Sequence, residues 1–109
     1  MLNLPLIMPK APADCRSLDE IRAGMDGVDR QIVTLITKRV EYVREAAKFK
    51  TSIENVAAPE RVEAVLKTRR AWAEAAGLDG EAIERLYRDL VAYSISEEHK
   101  RWHEMNAGR

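Results

Sequence analysis

The hydrophobic and polar positions between Leu18 and about Lys50 recur at the three- and four-residue spacing of one amphipathic α-helix. No proline interrupts this stretch, and Ser17 with Glu20 has the spacing of a capping box at its start. Such a helix would span roughly 50 Å, whereas a compact chain of this length has a radius of gyration of about 13 Å. We therefore expect its apolar stripe to need a partner, and a homodimer is the simplest one.

Two further helices are predicted after a short break. Residues 51–58 have no helical stripe and precede Pro59, which predicts a loop of roughly eight residues and a candidate lid. Pro59 suits the first turn of a second helix that reaches about Ala76, and Gly77 suits its end. Asp79 is placed to cap a third helix over about residues 80–105. The sequence thus predicts an all-α, long–short–long protomer.

The domain organisation expected from this pattern is one helical domain over residues 17–105. Residues 1–16 contain Pro5, Pro9 and Pro12 and are predicted to be a flexible N-terminal tail, with a short C-terminal tail at 106–109. Lysine plus arginine (18) balance aspartate plus glutamate (18), so no global basic field favours a nucleic acid partner.

The compartment expected for this chain is the cytoplasm. Cys15 is the single cysteine, which excludes an internal disulfide and fits a reducing environment. No apolar run approaches the roughly 20 residues of a membrane span. The first residues lack the basic region of a signal peptide, so we predict neither a membrane partner nor secretion.

Three cations on the first predicted helix are candidates for anion binding. In a continuous helix, Arg39 and Lys50 would share one face about 16 Å apart, within reach of a small anion between them. Arg22 would lie some 25 Å from Arg39 and about 100° around the axis, so it could serve only the equivalent site of a second subunit. The alternative is that all three are solvated surface cations.

Polar residues also interrupt the apolar stripe of the third predicted helix. Ser94 and Glu98 are four residues apart beside Ile95, which indicates either a buried polar pair or a half-exposed edge of the stripe. His99 and His103 have the spacing of a helical metal pair, but no third ligand has a fitting spacing. We therefore predict no metal site.

The chain resembles the all-helical class of chorismate mutases from Leu18 to Trp102. The resemblance rests on the motifs LDEIRAGMDGVDRQIVTLITKR, KFK, APERVEAVL and GLD. The stretches YVREAAKFK, APERVEAVL and RAWAEAAGLD are similar to the bacterial isochorismate-pyruvate lyase branch of that class. The resemblance implies an intertwined homodimer with two equivalent sites, each completed by the first helix of the other subunit, and no cofactor or metal.

The same resemblance implies roles for individual residues. Arg22 from the partner subunit and Arg39 would hold the two carboxylates of a dianionic substrate. Lys50 would sit near the ether oxygen, with Lys50, Glu98 and Arg39 as the catalytic set. The substrate-binding set would be Arg22, Arg39, Lys50, Arg61, Val62, Val65, Ser94, Ile95 and Glu98.

Three positions depart from one branch of the family or the other. Typical mutases have a glutamate that contacts the ring hydroxyl at the position of Val62. The valine here is similar to the lyase branch. Ser94 is mutase-like, where the lyase has a tyrosine. Glu98 replaces the usual glutamine and can donate a hydrogen bond only when protonated. Activity should therefore rise toward acidic pH, and Glu98→Gln should flatten the profile.

The activity implied is pericyclic: chorismate to prephenate, isochorismate to salicylate and pyruvate, or both. Neither reaction needs a nucleophile, because both are pericyclic. The task of the protein is to hold the enolpyruvyl arm over the ring and to stabilise negative charge on the ether oxygen. One alternative is a non-catalytic helical dimer that binds a metabolite or a partner enzyme. Another is a mutase for 4-amino-4-deoxychorismate.

Overall fold

The computed structural model describes residues 10–107. Within that range the secondary structure consists of α-helices and 3-10 helices, with no strand. The predicted all-α class is confirmed. Residues 1–9 and 108–109 of the predicted tails lie outside the described range, and the predicted domain boundaries stay a prediction. Short 3-10 helices occur at Pro12–Asp14 and Ala47–Phe49. The α-helices are α1 (Leu18–Ala46), α2 (Glu54–Ala57), α3 (Pro59–Ala75) and α4 (Gly80–Asn106).

The chain divides into two compact units between Glu41 and Tyr42. In the first unit, the Oγ of Ser17 accepts the backbone N–H of Glu20 at 3.1 Å, as expected of an N-cap. The other half of the predicted capping box differs, because the Glu20 carboxylate accepts the N–H of Arg16 at 2.7 Å. A hydrogen bond from Lys10, with that of Arg16, lowers the pKa of Glu20. The helix start is thus fixed by residues on both sides of the cap.

The apolar stripe of α1 is not buried. None of its 29 residues is classed as buried. The first unit supplies only the 3-10 turn Pro12–Asp14 besides α1 within its described residues, so this unit alone has little with which to cover the stripe. The large apolar side chains left between 47% and 63% exposed are Leu18, Met25, Ile32 and Val33.

The end of α1 differs from the prediction. The helix stops at Ala46, a 3-10 turn follows at Ala47–Phe49, and Lys50 has extended backbone angles (φ −95°, ψ 130°). The tighter 3-10 turn and the extended residue break the 100° step on which the sequence argument relied. The prediction that Arg39 and Lys50 share one face of a continuous helix is therefore wrong, because Lys50 lies outside the helix.

The second unit has a small apolar core in which α3 packs along α4. On α3, Trp72 is 61% exposed, whereas the neighbouring Ala73 is buried. A helix turns its face by about 100° per residue, so the neighbouring small residue lets α3 approach α4 closely. The buried apolar side chains are Ala47, Val56, Val65, Leu66, Ala73 and Val91.

The turn between α3 and α4 forms as predicted. Gly77 has φ +83°, the left-handed conformation that glycine adopts without a Cβ penalty. The N–H of Leu78 donates to Ala73 O at 2.9 Å and that of Gly77 to Glu74 O at 3.0 Å, which is a Schellman motif. Asp79 then accepts the N–H groups of Glu81 and Ala82. This closure fixes where α4 begins.

One ion-pair group on α4 gives a pH-dependent test of the fold. Hydrogen bonds from Arg88 and then Arg70 lower the pKa of Glu84 from its ordinary value of 4.5. A depressed pKa in the folded state stabilises the protein above the unfolded value, and this contribution is lost as the pH falls through the folded value. Glu84→Gln should therefore lower the unfolding temperature slightly at neutral pH. Thermal melts at several pH values should show the difference shrinking below about pH 4.5; a pH-independent difference would contradict this reading.

None of the helices within residues 10–107 combines the length and apolarity that crossing a lipid bilayer requires.

Candidate active site

Lys50 lies where the helical backbone ends. Its N–H donates to Ala47 O at 3.2 Å and closes the 3-10 turn. Its carbonyl accepts the indole N–H of Trp102, on α4, at 3.1 Å. Both backbone polar groups of Lys50 are thus satisfied, one by its own turn and one by a long helix.

The side chain of Lys50 is held by two further contacts. Its ammonium lies 3.1 Å from Oε2 of Glu98 and donates to the backbone carbonyl of Asn55 at 3.1 Å. Glu98 is only 7% exposed, and its Oε2 has no hydrogen bond of good geometry within the described residues, so the contact with Lys50 is an ion pair. Burying two charges costs desolvation that their attraction often fails to repay. Stability alone is therefore a weak reason for this pair.

The polar residues of α4 are buried, which decides between the two interpretations of the sequence. Ser94 is 5% exposed and its hydroxyl donates to Leu90 O at 2.8 Å. It lies one turn before Glu98 on the same face, with half-buried Ile95 beside it. The half-exposed edge is excluded, and the interior of α4 carries a hydroxyl and a carboxylate one turn apart.

The segment between Lys50 and Pro59 is more ordered than predicted. It contains the one-turn helix α2, whose Val56 is buried. The side-chain amide of Asn55 donates to the hydroxyl of Thr51 at 3.1 Å, while the backbone carbonyl of Asn55 accepts from the Lys50 ammonium. Ala58, just before Pro59, has φ +38°, a conformation that costs a non-glycine residue of order 1 kcal/mol. The same segment is held by the buried Val56 and by the hydrogen bond between Asn55 and Lys50.

The end of α1 is tied to α4 by a second ion-pair cluster. The guanidinium of Arg44 lies 3.3 Å from the carboxylate of Glu104 and 3.9 Å from that of Glu97. These contacts lie on the second unit, a few residues before the 3-10 turn. They help to place the chain that leads into Lys50.

The other predicted site residues are distributed over both units. Arg22 is exposed and Arg39 is half-buried, and both lie on α1 in the first unit. On α3, Arg61 is exposed in the first turn and Val62 is half-buried. Val65, on the same helix, is buried in the core. The structure brings Lys50, Glu98 and the neighbouring Ser94 and Ile95 to one region. The roles of all the predicted site residues stay predictions.

Sequence reasoning missed three residues: two that contact Lys50 and one that holds the chain just before it. Trp102 lies one turn after Glu98 on the same helix face, and this spacing was the one signal that could have identified it. Asn55 acts through its backbone carbonyl, which leaves no trace in residue type. Arg44 is one of many surface-type arginines, so the pattern does not single it out.

The family model for chorismate mutase type II matches residues 21–99, which contain Lys50, Ser94 and Glu98. The chain belongs to this family. It is an enzyme of the chorismate mutase and isochorismate-pyruvate lyase kind. The resemblance inferred from the motifs is thereby confirmed.

Individual relatives are similar over most of the chain. The isochorismate pyruvate lyase of Pseudomonas aeruginosa is 41% identical over 93 residues, covering 85% of this chain and 92% of the relative. The T-protein of Haemophilus influenzae is 34% identical over 85 residues, and that of Enterobacter agglomerans is 33% identical over 82. This chain covers only 22% of each T-protein.

Proposed function

We propose that this enzyme binds chorismate or isochorismate beside Lys50 and promotes a pericyclic reaction of the bound dianion. The observation that carries the proposal is the ammonium of Lys50, held 3.1 Å from the buried carboxylate of Glu98. A cation fixed among low-dielectric surroundings interacts more strongly with developing negative charge than a solvated one does. The ether oxygen of the substrate is where such charge develops.

The division of labour among the cations follows from their chemistry. Arg22 and Arg39 would each hold one carboxylate, since a guanidinium forms paired hydrogen bonds with a carboxylate. Lys50 would donate to the ether oxygen as the C–O bond breaks. Restriction of the enolpyruvyl arm to a reactive conformer would supply the rest of the rate enhancement.

Glu98 sets a condition on this mechanism. As a carboxylate it occupies the Lys50 ammonium and repels a dianion; as a neutral acid it releases Lys50 and gains an O–H donor for the ether oxygen. Uptake of one proton at Glu98 therefore prepares both donors at once.

This condition predicts a pH profile. The catalytic efficiency kcat/KM of the unmodified enzyme should rise from neutral toward acidic pH, because only the neutral carboxyl group can donate a hydrogen bond. Glu98→Gln supplies a permanent amide donor, so its profile should be flat over the same range. Steady-state assays from acid to neutral pH measure this. A flat profile of the unmodified enzyme would remove the role proposed for Glu98.

The second copy of this chain is proposed as the partner that completes the site. The exposed stripe of α1 supports this, since apolar side chains at this density are favourable to bury. In an intertwined homodimer, α1 would cover its stripe and carry Arg22 toward the partner's Lys50. The dimer is an intertwined arrangement of the chorismate mutase II type.

The sequence contains features that favour each of the two substrates. Val62 and the 41% identical lyase favour isochorismate as substrate, giving salicylate and pyruvate, whereas Ser94 favours chorismate, giving prephenate. Purified protein is incubated separately with chorismate, isochorismate and 4-amino-4-deoxychorismate, and consumption of each compound is measured together with formation of prephenate and salicylate. Turnover of 4-amino-4-deoxychorismate alone, or of none of the three, would contradict the proposal.

A further inference from the structure

Trp102 makes a contact that the mechanism above does not use. Its indole N–H donates to the backbone carbonyl of Lys50 at 3.1 Å across 52 positions of sequence. The side chain is half-buried, and the ring lies edge-on to that of His103 at 5.5 Å between centroids. A tryptophan used only for packing would not need this direction of its N–H.

The place of Trp102 on α4 gives the contact its meaning. Glu98 and Trp102 are four residues apart and therefore lie one turn apart on the same face of α4. Glu98 holds the side-chain end of Lys50, while Trp102 holds its carbonyl end. Helix α4 thus contacts Lys50 through both Glu98 and Trp102, and the spacing of these two side chains is fixed by the rise of the helix.

The backbone of Lys50 needs such a grip. It is the first extended residue after the 3-10 turn, and its carbonyl has no helical partner there. Rotation of this peptide would move the ammonium, because a four-carbon side chain amplifies changes in its backbone.

We infer that Trp102 is a positioning residue for Lys50, and that its N–H fixes the aim of the ammonium toward the substrate. This inference rests on the proposed role of Lys50. Trp102 touches no substrate in this account and acts through the Lys50 carbonyl. It is predicted to affect kcat more than KM, since it sets where the cation lies when charge develops.

The experiment removes the N–H and keeps an aromatic ring. Trp102→Phe should lower kcat/KM by about three- to tenfold, the effect of one lost hydrogen bond. The matched control is Trp72→Phe, because Trp72 is the only other tryptophan and is 61% exposed on α3. That control should change kcat/KM by less than about twofold.

A double-mutant cycle separates positioning from a general effect on the fold. In a Lys50→Ala background, assayed at high protein concentration to stay above the uncatalysed rate, Trp102→Phe should cause no further loss. An equal loss in both backgrounds would mean that Trp102 acts on the fold, and the inference would be overturned. No loss in the parent, with Lys50→Ala impaired, would overturn it too.

Two further arms keep the outcome clear. If Trp102→Phe lowers the unfolding temperature, a tryptophan analogue with sulfur in place of the ring N–H is incorporated at position 102 of a Trp72→Phe protein. It preserves ring size and removes only the donor, and the same three- to tenfold loss is expected. Unimpaired Lys50→Ala would instead refute the proposed function, which distinguishes that failure from a failure of this inference.

Discussion

Replacing Lys50 by alanine should reduce kcat/KM by about 100- to 1,000-fold, the usual effect of removing one preorganised electrostatic donor. The ammonium of Lys50 lies beside the carboxylate of Glu98 and donates to the backbone carbonyl of Asn55, so the substitution removes the cation fixed at this position. Lys48→Ala is the matched control. Lys48 lies two residues earlier, pairs with Glu45 at 3.0 Å on the surface, and should be replaceable with little effect on turnover.

Stability must be separated from catalysis in that experiment. Removing Lys50 leaves the carboxylate of Glu98 buried without its cation, which costs of order 1–3 kcal/mol. The double variant Lys50→Ala with Glu98→Gln replaces that carboxylate by a neutral amide. We expect it to regain most of the lost unfolding temperature while its activity stays low. Recovery of activity together with stability would mean that Lys50 is only structural.

Replacing Arg22 by alanine should have the second largest effect, a loss of about 10- to 100-fold in kcat/KM expressed mainly as a higher KM. Arg22 is exposed on α1, so its removal should leave the unfolding temperature nearly unchanged. Arg30→Ala, an exposed arginine of the same helix, serves as the control. Equal effects of the two substitutions would reduce Arg22 to a contribution to general positive charge.

The helices were largely predictable because each has a strong local signal. Capping by Ser17 and Asp79 and the glycine at 77 correspond to backbone requirements that only a few residue types meet. Periodicity over many turns then fixes helix type and approximate length. Local chemistry and regular spacing therefore suffice for α3 and α4.

The connection after α1 could not be predicted, because its structure depends on distant partners. One buried residue, Val56, is too little for a periodic pattern, so α2 left no stripe in the sequence. The end of α1 at Ala46 is followed by the 3-10 turn Ala47–Phe49, and the next residue, Lys50, is held by Trp102. A contact across 52 positions is invisible to a local reading.

Lys50 and Glu98 could be named as candidate site residues from the sequence, but the contact between them could not be predicted. Lys50 and Glu98 were both assigned from the family resemblance, as separate donors toward the same oxygen. Their mutual ion pair requires the geometry of α4 against the loop, which spacing alone does not supply. In the proposed mechanism, this ion pair is why Glu98 must be neutral before Lys50 can turn to the substrate.

The central claim is that each site joins Lys50 of one subunit with Arg22 of the other. Mixing Arg22→Ala and Lys50→Ala subunits by co-refolding tests it most directly, because each variant alone lacks one member of every site. If the site is shared, half of the dimers are mixed and one of their two sites is intact, so activity should recover to about one quarter of the unmodified value. Mixed dimers that stay as inactive as the two parents would contradict the claim.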